Sequence, residues 1–397
     1  MHTDISHTNG KMRVIGLMSG TSLDGIDCAD VEIVRSGGQD SLRFLGFHYK
    51  PYPEEVRSEL LLLAQGEAGG TRRIALANSL LGRLYADAVA EYLETLPLDR
   101  RSPDLIASHG QTLYHSLEPE AYLGYPVKTT LQLGEASCLA ERFGCPVVSD
   151  FRVRDQAAGG LGAPLVPFVE QALNTHPDLD VVYLNIGGIS NITFLPAASR
   201  GTGAEEILGF DTGPGNMLLD QVVEHHTDGT ETYDEDGAYA AKGKVHEELL
   251  SRWMQEPFYH LPPPKNAGRE NFGSAALTRM RSEAETEGLA FEDLAATLTR
   301  LTARVNAEAI RNWCPRIPSR IIVSGGGSRN LQLLRDLAEE AGSIEVVTGD
   351  EVLGYPNDAK EAVAFAYLGY KAWRGEPNNV PRATGASHAV VMGKISR

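Results

Sequence analysis

A short apolar run that breaks at a turn of Gly, Ser, Asp or Asn and resumes as a second β-prone run occurs twice in this chain. Val14 to Leu17 leads into Ser19-Gly20-Thr21-Ser22-Leu23-Asp24-Gly25, and Ile26 to Val34 follows. Val181 to Leu184 leads into Asn185-Ile186-Gly187-Gly188-Ile189-Ser190-Asn191, and Ile192 to Leu195 carries the chain away. The spacing of roughly 170 residues predicts an internal duplication, with each of two domains opening on a hairpin aimed at a shared cleft. The chain's 397 residues also exceed what one hydrophobic core usually serves.

Between these hairpins strands and helices alternate. Helical spacing at Ala77, Leu80, Leu84 and Ala88 precedes a strand at Asp104 to Ala107, which is expected to end in the loop Ser108-His109-Gly110-Gln111-Thr112. Later, Gly209-Phe210-Asp211-Thr212-Gly213-Pro214-Gly215-Asn216 reads as a turn, and Leu294, Leu298, Leu301 and Val305 share one helix face. Arg320 to Val323 is a strand that ends in Ser324-Gly325-Gly326-Gly327, before a helix through Leu331, Leu334, Leu337 and Ala341. The alternation predicts an α/β fold with ligand loops at strand ends. Leu261-Pro262-Pro263-Pro264-Lys265 is too short for a linker and reads as an ordered loop. The polar N-terminal tail is the one segment expected to be disordered.

Charge and composition remove several function classes. With 53 acidic and 36 basic residues the net charge is -17, which repels nucleic acid and anionic lipid. A hydrophobic content of 42% fits neither a disordered nor a membrane chain. The N-terminus lacks an apolar signal segment, so a soluble, unexported protein is expected. Cys28, Cys138, Cys145 and Cys314 form no C-x-x-C pair, which speaks against zinc ribbons and redox dithiols and suits a reducing cytosol. H-E-x-x-H is absent, and His225-His226 reads as a solvated helix pair.

Three glycine-rich stretches, Gly20 to Gly25, Gly213 to Gly215 and Gly325 to Gly327, have the composition that lets backbone N–H groups converge on an anion. The P-loop, dinucleotide-binding and nucleophile-elbow fingerprints are all missing. Gly20 to Gly25 also suits a plain hairpin turn. It carries two acids nearby, however, Asp24 and Asp27. A carboxylate beside a triphosphate is repulsive unless a divalent cation bridges them, so a phosphate role for this loop implies Mg2+.

Taken in order, Ser19 to Gly25, Ser108 to Thr112, Ser149-Asp150-Phe151-Arg152, Gly162-Ala163-Pro164-Leu165, Asn185 to Gly188, Phe210 to Asn216 and Ser324 to Gly327 resemble the anhydro-N-acetylmuramic acid kinases. The resemblance runs from Val14 to about Lys394. It implies the two-domain α/β fold of the sugar kinase, Hsc70 and actin superfamily (ribonuclease H-like), with ATP and sugar in the interdomain cleft. It implies a polar tail at 1–11, a first domain of residues 12–178 plus 381–397, and a second of 179–380. The implied reaction joins ATP, 1,6-anhydro-N-acetylmuramic acid and water to give N-acetylmuramic acid 6-phosphate and ADP, in a cytoplasmic homodimer. Levoglucosan kinases share the motifs; Thr384-Gly385-Ala386 looks more like the muramic acid enzymes. A silent sugar or nucleotide sensor on the same fold is the reading from another class.

By the same resemblance Asp211 is the base that activates water, and Glu361 helps to hold that water. The residues alone leave alternatives: Asp211 bonding its own turn, and Asp358-Ala359-Lys360-Glu361 forming a capping box. Nucleotide contacts are expected from Gly20, Thr21, Ser22, Asp24, Gly25 and Asp27, from Gly187, Gly188, Gly213, Gly215 and Asn216, and from Gly325, Gly326 and Gly327. The turn after Phe210 is expected to face Gly20 to Asp27. Asp24 is the expected Mg2+ residue, directly or through water. Ser19, Gln111, Thr112, Asp150 and Arg152 are the expected sugar contacts. His109 serves as support or contact, Arg154 and Asp155 as contacts or loop pins, while Lys265 and Arg269 receive no role.

Overall fold

The computed structural model describes residues 10–397 apart from 21, 67–69, 117, 202–205 and 268, and only the backbone of 269, 270 and 274. Thr21 and most of the expected polar tail thus lie outside the described residues. The chain divides into two compact units: Met1–Leu173 with Asp358–Arg397, and Asn174–Asn357.

The first unit opens with a meander. β1 (Lys11–Ser19), β2 (Gly25–Ser36) and β3 (Gln39–Pro51) pair antiparallel in turn. After α1 (Glu54–Ala64) and α2 (Thr71–Glu94), β4 (Leu105–His115) returns parallel to β1. A small exposed hairpin, β5 (Glu120–Tyr122) with β6 (Tyr125–Val127), precedes β7 (Thr130–Leu133), which pairs with β4. Then come α3 (Ala136–Phe143), β8 (Val147–Ser149) parallel to β4, α4 (Arg152–Ala157) and α5 (Val166–Asn174).

The second unit repeats the plan. β9 (Val181–Ile186), β10 (Ile189–Leu195) and β11 (Leu208–Pro214) form its antiparallel meander. Six helices follow: α6 (Met217–His226), α7 (Glu247–Trp253), α8 (Pro257–His260), α9 (Arg269–Phe272), α10 (Ser274–Thr286) and α11 (Phe291–Trp313). β12 (Arg320–Ser324) then returns parallel to β9, and α12 (Leu331–Ala341) leads to β13 (Glu345–Thr348), parallel to β12, and α13 (Gly349–Val352). The chain then rejoins the first unit with α14 (Lys360–Trp373), α15 (Pro381–Thr384) and β14 (Lys394–Ser396), which pairs with β8.

Written outward from the edge, the cores of the two sheets are β3-β2-β1-β4-β8 and β11-β10-β9-β12-β13. Both have the order third, second, first, fourth, fifth, with the last two strands parallel to the first. This is a duplicated ribonuclease H-like α/β fold, and the paired hairpins seen in the sequence are its first two strands in each copy. β1 and β9 sit mid-sheet between parallel and antiparallel neighbours, which is why Val14 to Leu17 and Val181 to Leu184 are continuously apolar and buried. The first unit's core joins Ile15 and Leu17 to Leu81, Tyr85 and Val89 of α2. In the second, Leu184, Ile192 and Val323 pack against Ala303 and Ile310 of α11 and Leu333 and Leu337 of α12.

Three expectations need correction. Ser108 to Thr112 is part of β4, which runs on to His115 past an irregularity between Leu17 and Ser19 on β1. Gly110 there takes φ 81°, left-handed backbone that a side chain would strain. The segment after Phe210 is likewise strand β11 rather than a turn. Lastly, the second domain ends at Asn357 rather than 380, because α14 packs on β1 and β4. That packing needs glycine: a Cβ on Gly16 would lie 1.9 Å from the Ala362 carbonyl oxygen and 2.7 Å from Ala366 N.

Candidate active site

In the first unit the turn between β1 and β2 is held from below by a polar network. Tyr52 OH donates to Ser19 Oγ at 2.9 Å and Gln111 Nε2 donates to the Gly20 carbonyl at 2.9 Å. Ser19 and Gln111 are both buried, and Tyr52 OH also reaches Gln111 Oε1 at 3.4 Å. These two expected sugar contacts therefore brace the loop, Ser19 as the acceptor of the Tyr52 hydroxyl and Gln111 through its amide nitrogen on the Gly20 carbonyl. Thr112 Oγ1 accepts from Gln132 Nε2 at 3.2 Å on the partly buried face of β4.

Above that base, Ser22 and Asp24 are exposed, and Ser22 Oγ donates to Asp24 Oδ1 at 2.7 Å. Leu23 N donates to Gly20 O and so closes the turn. Asp27, at the start of β2, has its carboxyl pushed up to about 7 by burial and then by the charges of Asp24, Glu361 and Asp358. The α14 packing through Gly16 thus gathers acidic residues from two elements at one end of β1. No group of three His, Cys, Asp or Glu side chains with metal-holding geometry occurs among the described residues.

Glu361 is the second residue of α14, and the capping-box alternative does not form. The 3-10 turn Asn357–Ala359 runs directly into the helix, so Asp358 lies inside the helical run. The Glu361 side chain still meets solvent, while the protein packed around it raises its carboxyl against the pull of Lys360 and Arg152. Lys360 forms a buried pair with Glu170 at 2.7 Å, which fixes the first turn of α14. Arg152, at the start of α4, donates from Nε to His109 Nε2 at 2.9 Å and from Nη1 to the Gly162 carbonyl at 2.8 Å. Burial lowers its guanidinium to about 10, against the attraction of Glu361 and Asp155.

His109 is buried against the Phe365 ring, 4.6 Å between centroids, and burial followed by Arg152's charge keeps it neutral. It is support. Asp155 is a loop pin: fully buried, its Oδ1 accepts from Asn379 and Thr384 at 2.7 Å each, and its Oδ2 from Gly162 N at 2.8 Å. Arg154 is exposed. Asp150, with φ 56°, pairs with Lys394.

The second unit assembles its glycines. The β9–β10 turn at Gly187-Gly188 is stitched to the end of β11: Gly215 N donates to Gly188 O at 2.9 Å and Asn216 N to Gly187 O at 2.8 Å. A Cβ on Gly215 would fall 2.0 Å from the Gly187 carbonyl oxygen. The Asn216 amide lies within 3.5 Å of where side chains on Gly326 and Gly327 would begin. Gly213 is buried beside Val305 and Tyr259. Three glycine-bearing segments, at 187–188, 213–215 and 325–327, thus meet beside Asn216 in one unit, leaving backbone with few side chains in the way.

Asp211 sits on β11 next to this cradle. Its backbone N–H donates to the Lys265 carbonyl at 3.1 Å, and its Oδ2 accepts from Ala267 N at 2.8 Å. Burial pushes its carboxyl up to about 6, with the Ala267 N–H and Lys265 pulling the other way. That suits a general base working near neutral pH. The alternative in which Asp211 bonds its own turn is not what forms; its backbone partner is the loop before α9. Arg269 lies in α9 and its side chain is outside the described residues.

Sequence comparison matches this arrangement to a family. The profile described as "Anhydro-N-acetylmuramic acid kinase" covers residues 12–397. The chain belongs to the anhydro-N-acetylmuramic acid kinase family. A protein of that name from Caldanaerobacter subterraneus subsp. tengcongensis is 42% identical over 388 residues, 96% of each chain. Another, from Trichormus variabilis, is 42% identical over 96% of each chain, and one from Synechocystis is 40% identical over 97% of this chain and 98% of its own. Membership makes the chain a sugar-kinase-type phosphotransferase. No helix among the described residues is long and apolar enough to cross a membrane.

Proposed function

We propose that this family member phosphorylates 1,6-anhydro-N-acetylmuramic acid with ATP while opening its anhydro ring, giving N-acetylmuramic acid 6-phosphate and ADP. The observation that carries the reading is Asp211: a carboxylate anchored by Ala267 N, poised at about 6, beside a glycine cradle in the same unit. Asp211 takes a proton from water as the water oxygen bonds C1. The C1–O6 bond breaks, and O6 takes the γ-phosphoryl group from ATP, so no protonated acid is needed at the leaving oxygen. Glu361 is a second acceptor for that water. Arg152, with its charge partly desolvated, is suited to the lactyl carboxylate.

The glycines at 187–188, 213–215 and 325–327, with Asn216, offer backbone to the nucleotide, and Gly20 to Gly25 serves its phosphates. The residues fit Mg2+: Asp27 is raised by burial first and then by neighbouring carboxylates, a repulsion that a cation beside Asp24 relieves, and Mg2+ keeps most of its own waters. When bound it offsets the charge of the triphosphate. The enzyme is expected to act in the cytoplasm as a homodimer. The test is ADP release from Mg-ATP with anhydro-N-acetylmuramic acid, and separately with levoglucosan. Turnover on the muramic sugar that is lost in Asp211→Asn supports the reading; turnover on levoglucosan alone, or on neither sugar, overturns it.

A further inference from the structure

Lys265 follows three prolines in a loop to which the sequence gives no function, yet it is buried. Its Nζ donates to the Phe258 carbonyl at 2.9 Å and the Tyr259 carbonyl at 3.1 Å, at the end of α8. The ammonium also lies over two rings, 4.8 Å from the Phe258 centroid and 5.7 Å from that of Phe210. Phe210 is the residue before Asp211, and the Lys265 carbonyl accepts the Asp211 backbone N–H. One residue therefore fixes the backbone of Asp211 and holds a cation behind it.

A desolvated ammonium is costly, and two carbonyls would be served as well by any neutral donor. The charge needs another reason. The other groups packed on β11 do not supply one. Asn191 stands opposite Asp211 on β10, α11 brings the uncharged Asn306 and Thr302, and α8 brings Tyr259, which burial keeps protonated. Among the described residues Lys265 is the charged group that acts on Asp211, and burial lowers its own ammonium to about 8 against the attraction of Asp211.

We propose that Lys265 is the positioning residue for Asp211, holding its backbone in place and supplying the positive charge that keeps its carboxylate ionised at neutral pH. The proposal rests on Asp211 being the base, and the test separates the two. Lys265→Gln keeps a donor for the carbonyls and loses the charge; Lys265→Met loses both; Lys265→Arg keeps the charge. The readouts are kcat against pH and, in the ligand-free protein, the 13C carboxyl titration of Asp211 by NMR, assigned through Asp211→Asn. Losing the cation disfavours the carboxylate, so in Lys265→Gln and Lys265→Met both the carboxyl titration and the acid limb of kcat move up by at least about half a pH unit. Lys265→Arg keeps them near the parent values. A carboxyl titration that does not move in Lys265→Gln overturns the proposal, even where kcat falls, because a purely structural role lowers kcat without shifting it. A carboxyl titration that moves while the acid limb stays upholds Lys265's role and removes Asp211 as the base.

Discussion

Asp211→Asn should make the protein more stable at pH 7 while it destroys turnover. The folded protein holds this carboxyl at about 6, against 3.8 for the free group. Each unit of that difference is worth 1.36 kcal/mol, so keeping Asp211 ionised in the fold costs about 3 kcal/mol at most. The attraction of Lys265 is already contained in that value. The sign follows from proton uptake. The folded state holds the proton more tightly than the unfolded chain, so folding is favoured below pH 4, and the advantage disappears as pH rises through 6. A neutral Asn avoids the cost and can still accept from Ala267 N. At pH 7 the variant should thus melt higher, at roughly 2–4 °C per kcal/mol for a unit of this size. Below pH 4 the two proteins should converge. Urea unfolding and thermal melts from pH 3.5 to 7.5 measure this, alongside kcat, which should fall by roughly two to four orders of magnitude. A variant that is no more stable at pH 7, or whose gain is independent of pH, refutes the burial argument. A variant that retains more than about a tenth of kcat refutes the catalytic one.

Gly16→Ala places a methyl 1.9 Å from the Ala362 carbonyl oxygen, so α14 must move. Destabilisation of about 3 kcal/mol or more is expected in denaturant titration, with a fall in kcat as Glu361 is displaced. Asp155→Ala strips an acceptor from three buried donors and should cost about 3 to 5 kcal/mol, read in the same titration. In 18O-water the label should appear on C1 of the sugar and the first product should be the α anomer, because water enters opposite the departing O6. Mass spectrometry that finds the label in phosphate would separate hydrolysis from phosphorylation.

What could be read from the sequence was what local pattern encodes. Continuous apolar runs with glycine turns gave β1, β2, β9 and β10, and helical periodicity gave α2, α11 and α12. The third strands were missed. β3 alternates exposed and half-buried positions at a sheet edge, and β11 contains Gly209, Gly213 and Pro214, which read as turn. Gln111 looked available because a polar residue in a glycine-flanked segment reads as loop. Only the pairing of β4 with β1 and the reach of Tyr52, 59 residues away, bury it. Lys265 gave no signal because its partners are carbonyls, which every sequence carries. The one available clue was its position after three prolines, where a buried lysine has little freedom to move out.

The two copies of the fold also show how one topology supports different electrostatics. In the first hairpin Asp24 lies in the glycine turn and Asp27 follows it, and Glu361 of α14 with Asp358 of the 3-10 turn before it adds to their field. In the second, Asn185 to Asn191 contains no charged residue, and its glycines are bound to Gly215 and Asn216 through backbone alone. An anion can approach bare amides directly, but it can approach a carboxylate cluster only in company with a cation. The duplication thus fixes where backbone turns occur, and the few side chains after each turn decide which charge the turn can accept. Exchanging an acid into Gly187-Gly188-Ile189 would be expected to disturb nucleotide binding more than its small volume suggests, since the charge would stand where only backbone is now presented.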